Sequence, residues 1–441
     1  MPTISLFPSE AVGKIKPLNG VGGGPVTSHF TYDATGDFRE AGIPFCRTHD
    51  IEYPFGAGEF VDIHCVFRDF GKDENDPASY NFTFTDEYLK AVRNAGAEPF
   101  YRLGTTIEHQ PIKLYIHPPA DYEKWGRVCS HIISHYNDGW ADGFFMGIRY
   151  WEIWNEPDIA PCWTGTPEQF CDLYAAAAPI IKRDHPDVKV GGCAWAMGYG
   201  PFAEQWLQRV RDEKLPMDFY SWHLYMHTPR ELQLAAEKVT ALLDKYGFAG
   251  TEQIFDEWNY AIWGDRLQRC YDVHKTYMEC AFMAAVMSTA QDTAISKAMY
   301  YDVQMLMNGS WNGVFAPVSE GVHASLRTPA RLPGYYALYA WNVLRQLGTQ
   351  IGVRVEGGDL YVTAARDEDG ELAALVSYFN DDAGYCLQPP PETAIRIDCP
   401  GTPVWTAFVT DGAGTFAPAE VTDGILRLKG NSCALLRMKK V

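Results

Sequence analysis

Arg149-Tyr150-Trp151-Glu152-Ile153-Trp154-Asn155-Glu156-Pro157-Asp158 decides how this chain is read. Aromatic and β-branched residues make its first half a buried strand, and Glu152 and Glu156 share one face by the period of two. Pro157 ends the strand because it has no amide hydrogen to donate. Glu156 is therefore a carboxyl held at the end of a rigid element. In a closed parallel barrel that end is the mouth, where active sites lie. The plainer alternative is a loop-facing glutamate in a salt bridge.

Working outward, similar apolar runs occur at Lys16–Val21, Ile43–His49, Glu98–Gly104, Val188–Trp195, Asp218–Tyr225, Gln253–Asn259 and Ile295–Val303. Segments with helical spacing separate them: Thr85–Ala95, Asp121–His135, Glu168–Asp184, Phe202–Arg211, Pro229–Tyr246, Tyr271–Ala290 and Pro333–Leu347. Thr166-Pro167 and Thr228-Pro229 are helix starts, and Gly96 and Gly247 fall where helices stop. Eight strands alternating with helices predict a parallel sheet with right-handed crossovers, and eight units close a (β/α)₈ TIM barrel, here over residues 15–347. A doubly wound open sheet is the competitor, since buried parallel strands look alike in both.

Past Leu347 helical spacing vanishes. Gly352–Thr363, Leu372–Asn380, Thr393–Asp398, Val404–Thr410 and Ile425–Met438 alternate with turn sequences such as Glu356-Gly-Gly-Asp359. This predicts a C-terminal antiparallel β-sandwich over residues 348–441, with a strand from residues 1–14 joining it.

Composition narrows the function. The net charge of −19 repels phosphate backbones and anionic headgroups, so neither nucleic acid nor membrane is an expected partner. No apolar run approaches the roughly 20 residues that span a bilayer, and the N-terminus lacks a signal-peptide pattern. The 11 cysteines are odd in number and include no C-x-x-C pair, which argues against structural zinc and a disulfide framework and for reduced thiols in the cytoplasm. Aromatic residues reach 14%, compatible with sugar-stacking faces, though an ordinary large core is the plainer reading. A homo-oligomer is compatible with all of this.

A second strand, Gln253-Ile-Phe-Asp-Glu-Trp-Asn259, also ends in a carboxylate, and Glu257 follows Glu156 by 101 positions. At roughly 30 or more residues per β/α unit, that is three units, from the fourth strand to the seventh. Two carboxyls facing each other across a barrel mouth suit glycoside hydrolysis, as nucleophile and acid at a short separation or as base and acid at a wider one. Asp256, pointing to the opposite side of an ideal strand, is the runner-up nucleophile.

Trp151-Glu-Ile-Trp-Asn-Glu-Pro-Asp158, Ser221-Trp-His-Leu-Tyr225, Asp256-Glu-Trp-Asn259 and Arg47-Thr-His49 together resemble glycoside hydrolase family 39, the β-xylosidase and α-L-iduronidase family within the clan of retaining barrel glycosidases. The resemblance spans nearly the whole chain, barrel and sandwich included. It implies Glu156 as acid/base and Glu257 as nucleophile. Asn155 would bind the sugar 2-hydroxyl, and His223 and Tyr225 would position Glu257 and a sugar hydroxyl. Arg47 would keep Glu257 ionised, and His49 would contact the terminal sugar. For Arg47 the alternative is a partner to a buried acid such as Glu152; for His49 and His223 it is a structural interior histidine. Trp311, after the eighth strand, is a sugar-platform candidate, with Trp258 and Trp263 behind it. The implied substrate is a small carbohydrate, by default a β-D-xyloside attacked from its end, with no metal or cofactor. Arabinosides, galactosides, glucosides and uronides stay open, as does a non-catalytic carbohydrate-binding protein. Asp50 departs from the family pattern, which has a small residue after the histidine. The Gly71–Pro77 and Thr105–Pro119 segments are expected to reshape the pocket.

Two further signals carry less. Gly20-Val-Gly-Gly-Gly24 resembles a dinucleotide loop after the first strand, but Pro25 follows and the third glycine is misplaced. His131 and His135 stand one helical turn apart, and the reading preferred over metal binding is a solvated helix face.

Overall fold

The chain opens with a long strand, β1 (Thr3–Lys14), and then enters the barrel. The barrel strands are β2 (Gly20–Gly22), β3 (Phe45–Arg47), β4 (Glu98–Leu103), β5 (Tyr150–Ile153), β6 (Lys189–Trp195), β7 (Phe219–Met226), β8 (Glu252–Tyr260) and β9 (Ile295–Tyr300). Each pairs in parallel with the next, and β9 returns to β2, so the sheet is closed and the open-sheet alternative falls. The computed structural model describes residues 1–26, 32–51, 60–106, 114–303, 311–316, 328–381 and 389–438. Residues 107–113 of the predicted Thr105–Pro119 insertion, and Gly309 and Ser310 before Trp311, lie outside the described residues.

Chemistry separates the inside of the barrel from its mouth. Phe45, Phe100, Tyr150, Phe219, Ile254 and Met299, one from each of six strands, form a buried apolar cluster inside the barrel. Each such side chain stabilises the fold by about 1.5–3 kcal/mol on burial. Polar groups are left for the mouth. Glycines set the strand spacing. A Cβ on Gly191 would stand 2.2 Å from the Phe219 carbonyl oxygen, a backbone atom that cannot swing away. Gly191→Ala is therefore expected to destabilise the barrel by about 1–3 kcal/mol, measured as a lower urea midpoint. An unchanged midpoint would contradict the close approach of β6 to β7.

Several sequence expectations shift here. The glycine-rich stretch predicted as a loop after the first strand is the strand itself: Gly20–Gly22 is β2, and residues 16–19 only lead into it. A side chain at Gly20 would meet the Ala298 carbonyl oxygen at 2.7 Å, so only glycine lets β2 lie against β9. The helix predicted over Tyr271–Ala290 is two helices, Leu267–Val273 and Tyr277–Gln291, broken where the Thr276 side chain caps the second. That second helix is buried on nearly every side between the barrel and the C-terminal sheet, so it shows no polar face in sequence. His135 is not on a solvated face. It is buried, with Nε2 3.0 Å from Asp86 Oδ1 and Nδ1 2.9 Å from the Trp140 carbonyl oxygen. Elsewhere local signals match: Pro229–Tyr246 starts at a Thr228/Glu231 capping box and stops at left-handed Gly247.

The C-terminal strands are β10 (Thr349–Glu356), β11 (Leu360–Arg366), β12 (Leu372–Tyr378), β13 (Thr393–Asp398), β14 (Trp405–Asp411), β15 (Gly414–Glu420), β16 (Ile425–Leu428) and β17 (Ser432–Met438). With β1 they form one nine-stranded, mostly antiparallel sheet in the order β15-β14-β17-β12-β11-β10-β1-β13-β16. Trp405 of β14 and Leu426 of β16, far apart in that order, share one apolar cluster with Leu6 and Val376, so the sheet folds over a core of its own. The single strand predicted over Gly352–Thr363 is β10 and β11, parted by Gly357 and Gly358, both at positive φ. Edge strand β15, which contains Pro418, was not foreseen. Among the described residues no helix is long and apolar enough to cross a membrane.

Candidate active site

The chain leaves β5 through a constrained backbone. Trp154 and Glu156 both take left-handed conformations, at φ 73° and 45°, which cost a side-chain-bearing residue energy and persist only when neighbours enforce them. Neighbours do: the Trp154 N–H donates to the Leu103 carbonyl at 2.7 Å and the Glu156 N–H to the Ala194 carbonyl at 2.9 Å. The turn is thus pinned to the strands on both sides, and it aims the Glu156 carboxyl into the mouth.

There Glu156 meets β7 and β8. His223 Nδ1 lies 2.8 Å from Glu156 Oε1, and the Cys162 thiol donates to Glu156 Oε2 at 3.6 Å. Glu257 Oε1 accepts the Tyr225 hydroxyl at 2.5 Å, while Oε2 accepts Arg47 Nη1 at 3.0 Å. One oxygen of each glutamate and one nitrogen of His223 all lie within 4.8 Å of one another. Such a triad could hold a metal ion, yet Arg47 and Tyr225 already engage both oxygens of Glu257.

Arg47, buried, fans across the floor of the mouth. Besides Glu257 it reaches Glu152 Oε2 from Nε at 2.9 Å and Asn155 Oδ1 from Nη2 at 2.6 Å. Arg47 thus contacts both of the acids named for it, Glu152 and Glu257. Burial disfavours its charge, but the surrounding carboxylates more than compensate and hold its pKa above the ordinary arginine value. For Glu152, burial also pushes upward, and Arg47, with a hydrogen bond from Ser221 at 2.5 Å, brings it below the usual carboxylate range. Burial lowers the His223 pKa despite Glu257 nearby, so its imidazole is neutral at neutral pH.

Asp256 corrects the sequence reading. An ideal strand would turn it away from Glu257, yet its Oδ2 lies 3.0 Å from Arg47 Nε, inside the same cluster. The cause is a register irregularity: Trp222 pairs with Phe255 but His223 with Glu257, so Asp256 is the extra residue of a bulge. Alternation fails there, and both acids face the barrel axis.

The remaining candidates divide. Tyr225 lies 4.9 Å from Trp311 and 5.5 Å from Trp263, ring to ring, so both tryptophans flank the acid pair. Trp258 is fully buried against Phe255 and Tyr300 and presents no face to a ligand. His49 is buried two residues beyond Arg47, with Nε2 3.6 Å from Asp50 Oδ2. Asn155 keeps a buried amide Nδ2 that finds no acceptor among the described residues.

Sequence reasoning missed the support of Trp311. Asn259 Nδ2 donates to the Trp311 carbonyl at 2.6 Å, and the Tyr300 hydroxyl lies 3.1 Å from that carbonyl and 3.0 Å from Glu279 Oε1. Glu279 is an acid inside the otherwise apolar helix Tyr277–Gln291, a mismatch that could have marked it. Burial raises its pKa to about 8, so it is largely neutral at pH 7. Between the usual glutamate value and about 8 the folded state then binds more protons than the unfolded one, and stability falls as pH rises through that window. At its steepest the slope is about 1.4 kcal/mol per pH unit. Glu279→Gln is expected to flatten the decline in melting temperature across this range. An identical pH dependence in the variant would mean that Glu279 is ionised.

A closed parallel barrel with two glutamates converging across its C-terminal mouth defines a barrel glycosidase. The family model for glycosyl hydrolases family 39 matches residues 4–309, and the chain belongs to that family. It is 23% identical over 360 residues to a β-xylosidase of Geobacillus stearothermophilus, covering 74% of this chain and 67% of that protein. A second β-xylosidase, from Caldicellulosiruptor saccharolyticus, is 30% identical over 183 residues, covering 37% of this chain and 34% of that one. Among solved structures, a glucosidase from Croceicoccus marinus superposes with a TM-score of 0.77 at 23% identity, over 100% of this chain and 99% of the other.

Proposed function

We propose that this glycosidase is a retaining, exo-acting β-D-xylosidase-like enzyme for short oligosaccharides or glycosides, with Glu156 as acid/base and Glu257 as nucleophile. The observation that carries it is the approach of the two carboxyls to within 4.8 Å. That approach, between one oxygen of each, supports direct attack, for which the carboxyls stand about 5–5.5 Å apart, over inversion, which needs a water between carboxyls about 6.5–9.5 Å apart.

In the first step a Glu257 oxygen attacks the anomeric carbon while Glu156 gives its proton to the departing glycosidic oxygen. The ester intermediate keeps the sugar, and the aglycone leaves as an alcohol. Water then enters, Glu156 takes its proton, the ester bond breaks and Glu257 is ionised again. Arg47 and Tyr225 hold the nucleophile anionic and fixed. His223, neutral, orients Glu156 without adding charge. The open amide of Asn155 suits the 2-hydroxyl, and Trp311 offers an aromatic face to the sugar. The two β-xylosidase relatives support a xyloside, and the Croceicoccus marinus glucosidase supports a glucoside as the second reading. Ten free cysteines among the described residues support a reducing compartment, the cytoplasm.

A panel of aryl glycosides (xyloside, arabinosides, galactoside, glucoside, iduronide) tests the substrate, with the xyloside expected to be cleaved fastest. Product NMR tests the mechanism: the first anomer formed should keep the configuration of the substrate. An inverted first product would overturn the retaining assignment, and a panel with no turnover would overturn the substrate.

A further inference from the structure

Asp256 has no part in the double displacement, yet it is buried among the groups that do. From β3, Arg47 Nε approaches its Oδ2 at 3.0 Å; from β7, His223 Nε2 stands 3.6 Å from its Oδ1; from β5, the Glu152 carboxyl lies against it; and Glu257 follows it on β8. The single hydrogen of Arg47 Nε is directed at Glu152 Oε2, 2.9 Å away. Neither oxygen of Asp256 accepts a hydrogen bond from any donor among the described residues. An ionised carboxylate buried without one donor is costly, whereas a protonated carboxyl carries a donor of its own. The acceptor it touches is Glu152.

We propose that Asp256 is a proton-carrying positioning residue: its carboxyl is neutral in the resting enzyme and donates its hydrogen to Glu152, and so eases the demand of Glu152 on Arg47, which also holds Glu257. The inference rests on Glu257 being the nucleophile. Charge balance supports it. With all three acids ionised, one guanidinium and a neutral imidazole would face three buried negative charges; with Asp256 neutral they face two. Burial, and then the neighbouring Glu152, push the Asp256 carboxyl well above the usual aspartate range, in the same direction. The bulge in β8 is what makes the device, because it turns Asp256 inward beside the residue it serves.

Asparagine mimics a protonated aspartate, with an N–H in place of the O–H. Asp256→Asn is expected to keep kcat/KM within a few-fold of the parent and to leave the acidic limb of its pH profile in place. Asp256→Ala removes the donor, makes Glu152 draw more heavily on Arg47, and is expected to lose about tenfold or more and to shift the acidic limb upward as Glu257 becomes harder to ionise. A merely structural role would not move that limb. Infrared spectroscopy of the whole enzyme at neutral pH gives a readout independent of turnover and of the alanine variant's folding. The parent-minus-Asp256→Asn difference spectrum should show a protonated-carboxyl C=O stretch, and that same stretch should persist in Glu156→Gln and in Glu279→Gln. No difference between parent and Asp256→Asn in that band, or a limb displaced in the asparagine variant as far as in the alanine one, would overturn the proposal. The two readings fail separately: persistent activity in Glu257→Ala would unseat the nucleophile, while the infrared band would still report the proton on Asp256.

Discussion

Glu257→Ala is expected to lose on the order of 10⁵-fold in kcat or more, the scale seen when a covalent nucleophile is removed. The geometry makes the loss specific. Glu257 is the acid that both Arg47 and Tyr225 hold, by hydrogen bonds of 3.0 and 2.5 Å, which suits the anionic role proposed for it, whereas Glu156 meets a neutral imidazole and a thiol. Truncation leaves a side-chain-sized void facing the anomeric carbon. Azide fits such a void and attacks once, so it should restore turnover of an activated aryl glycoside and yield a glycosyl azide of inverted configuration. On the proposed assignment the nucleophile is intact in Glu156→Ala, so azide would take the place of the deprotonated water in the second step and the azide product should keep its configuration. Chromatography and NMR of the two products check this. An inverted azide from the Glu156 variant, with none from the Glu257 variant, would exchange the roles.

Arg47→Met is expected to have the largest effect on stability. Arg47 is the shared partner of Glu152 and Glu257 and lies 3.0 Å from Asp256, all buried. Breaking a buried pair by deleting one partner costs about 3–5 kcal/mol because the stranded charges stay buried. The sign of the pH dependence is definite. In the parent, Glu152 is held below its ordinary value, so its contribution is present above the normal carboxylate range and is lost as acid takes the pH through the depressed folded value. Without the guanidinium, burial alone acts and raises the carboxylate values. The variant then gains stability as pH falls through them. The gap in melting temperature between parent and variant should therefore narrow from neutral to mildly acidic pH. A gap that is constant with pH would mean that Arg47 contributes packing rather than charge.

Much of this site is legible in sequence for a local reason. Trp154-Asn-Glu-Pro is the turn directly after β5 and Glu257-Trp-Asn closes on the end of β8, and both places in a closed parallel barrel have one destination, the mouth. His223 and Tyr225 follow from the period of two, and their shortest contacts are to different acids, Glu156 and Glu257. Asp256 was misplaced by that same period, because a bulge is set by how β8 pairs with β7, which no spacing within β8 reveals. Glu279 and Tyr300 were passed over for another reason: Glu279 is partnered by the Tyr300 hydroxyl, and that hydroxyl meets the Trp311 carbonyl only after the barrel has closed.

Taken alone, the chain's pattern of apolar runs, caps and glycines determined the eight β/α units and named the two glutamates, since periodicity and turn chemistry act between residues a few positions apart. Tertiary structure decided which charges share a cavity: one arginine among Glu152, Asp256 and Glu257, at contacts of 2.8 to 3.0 Å. Electrostatic coupling depends on distance and burial in space. Closing the barrel sets both, bringing together side chains 105 and 210 residues apart.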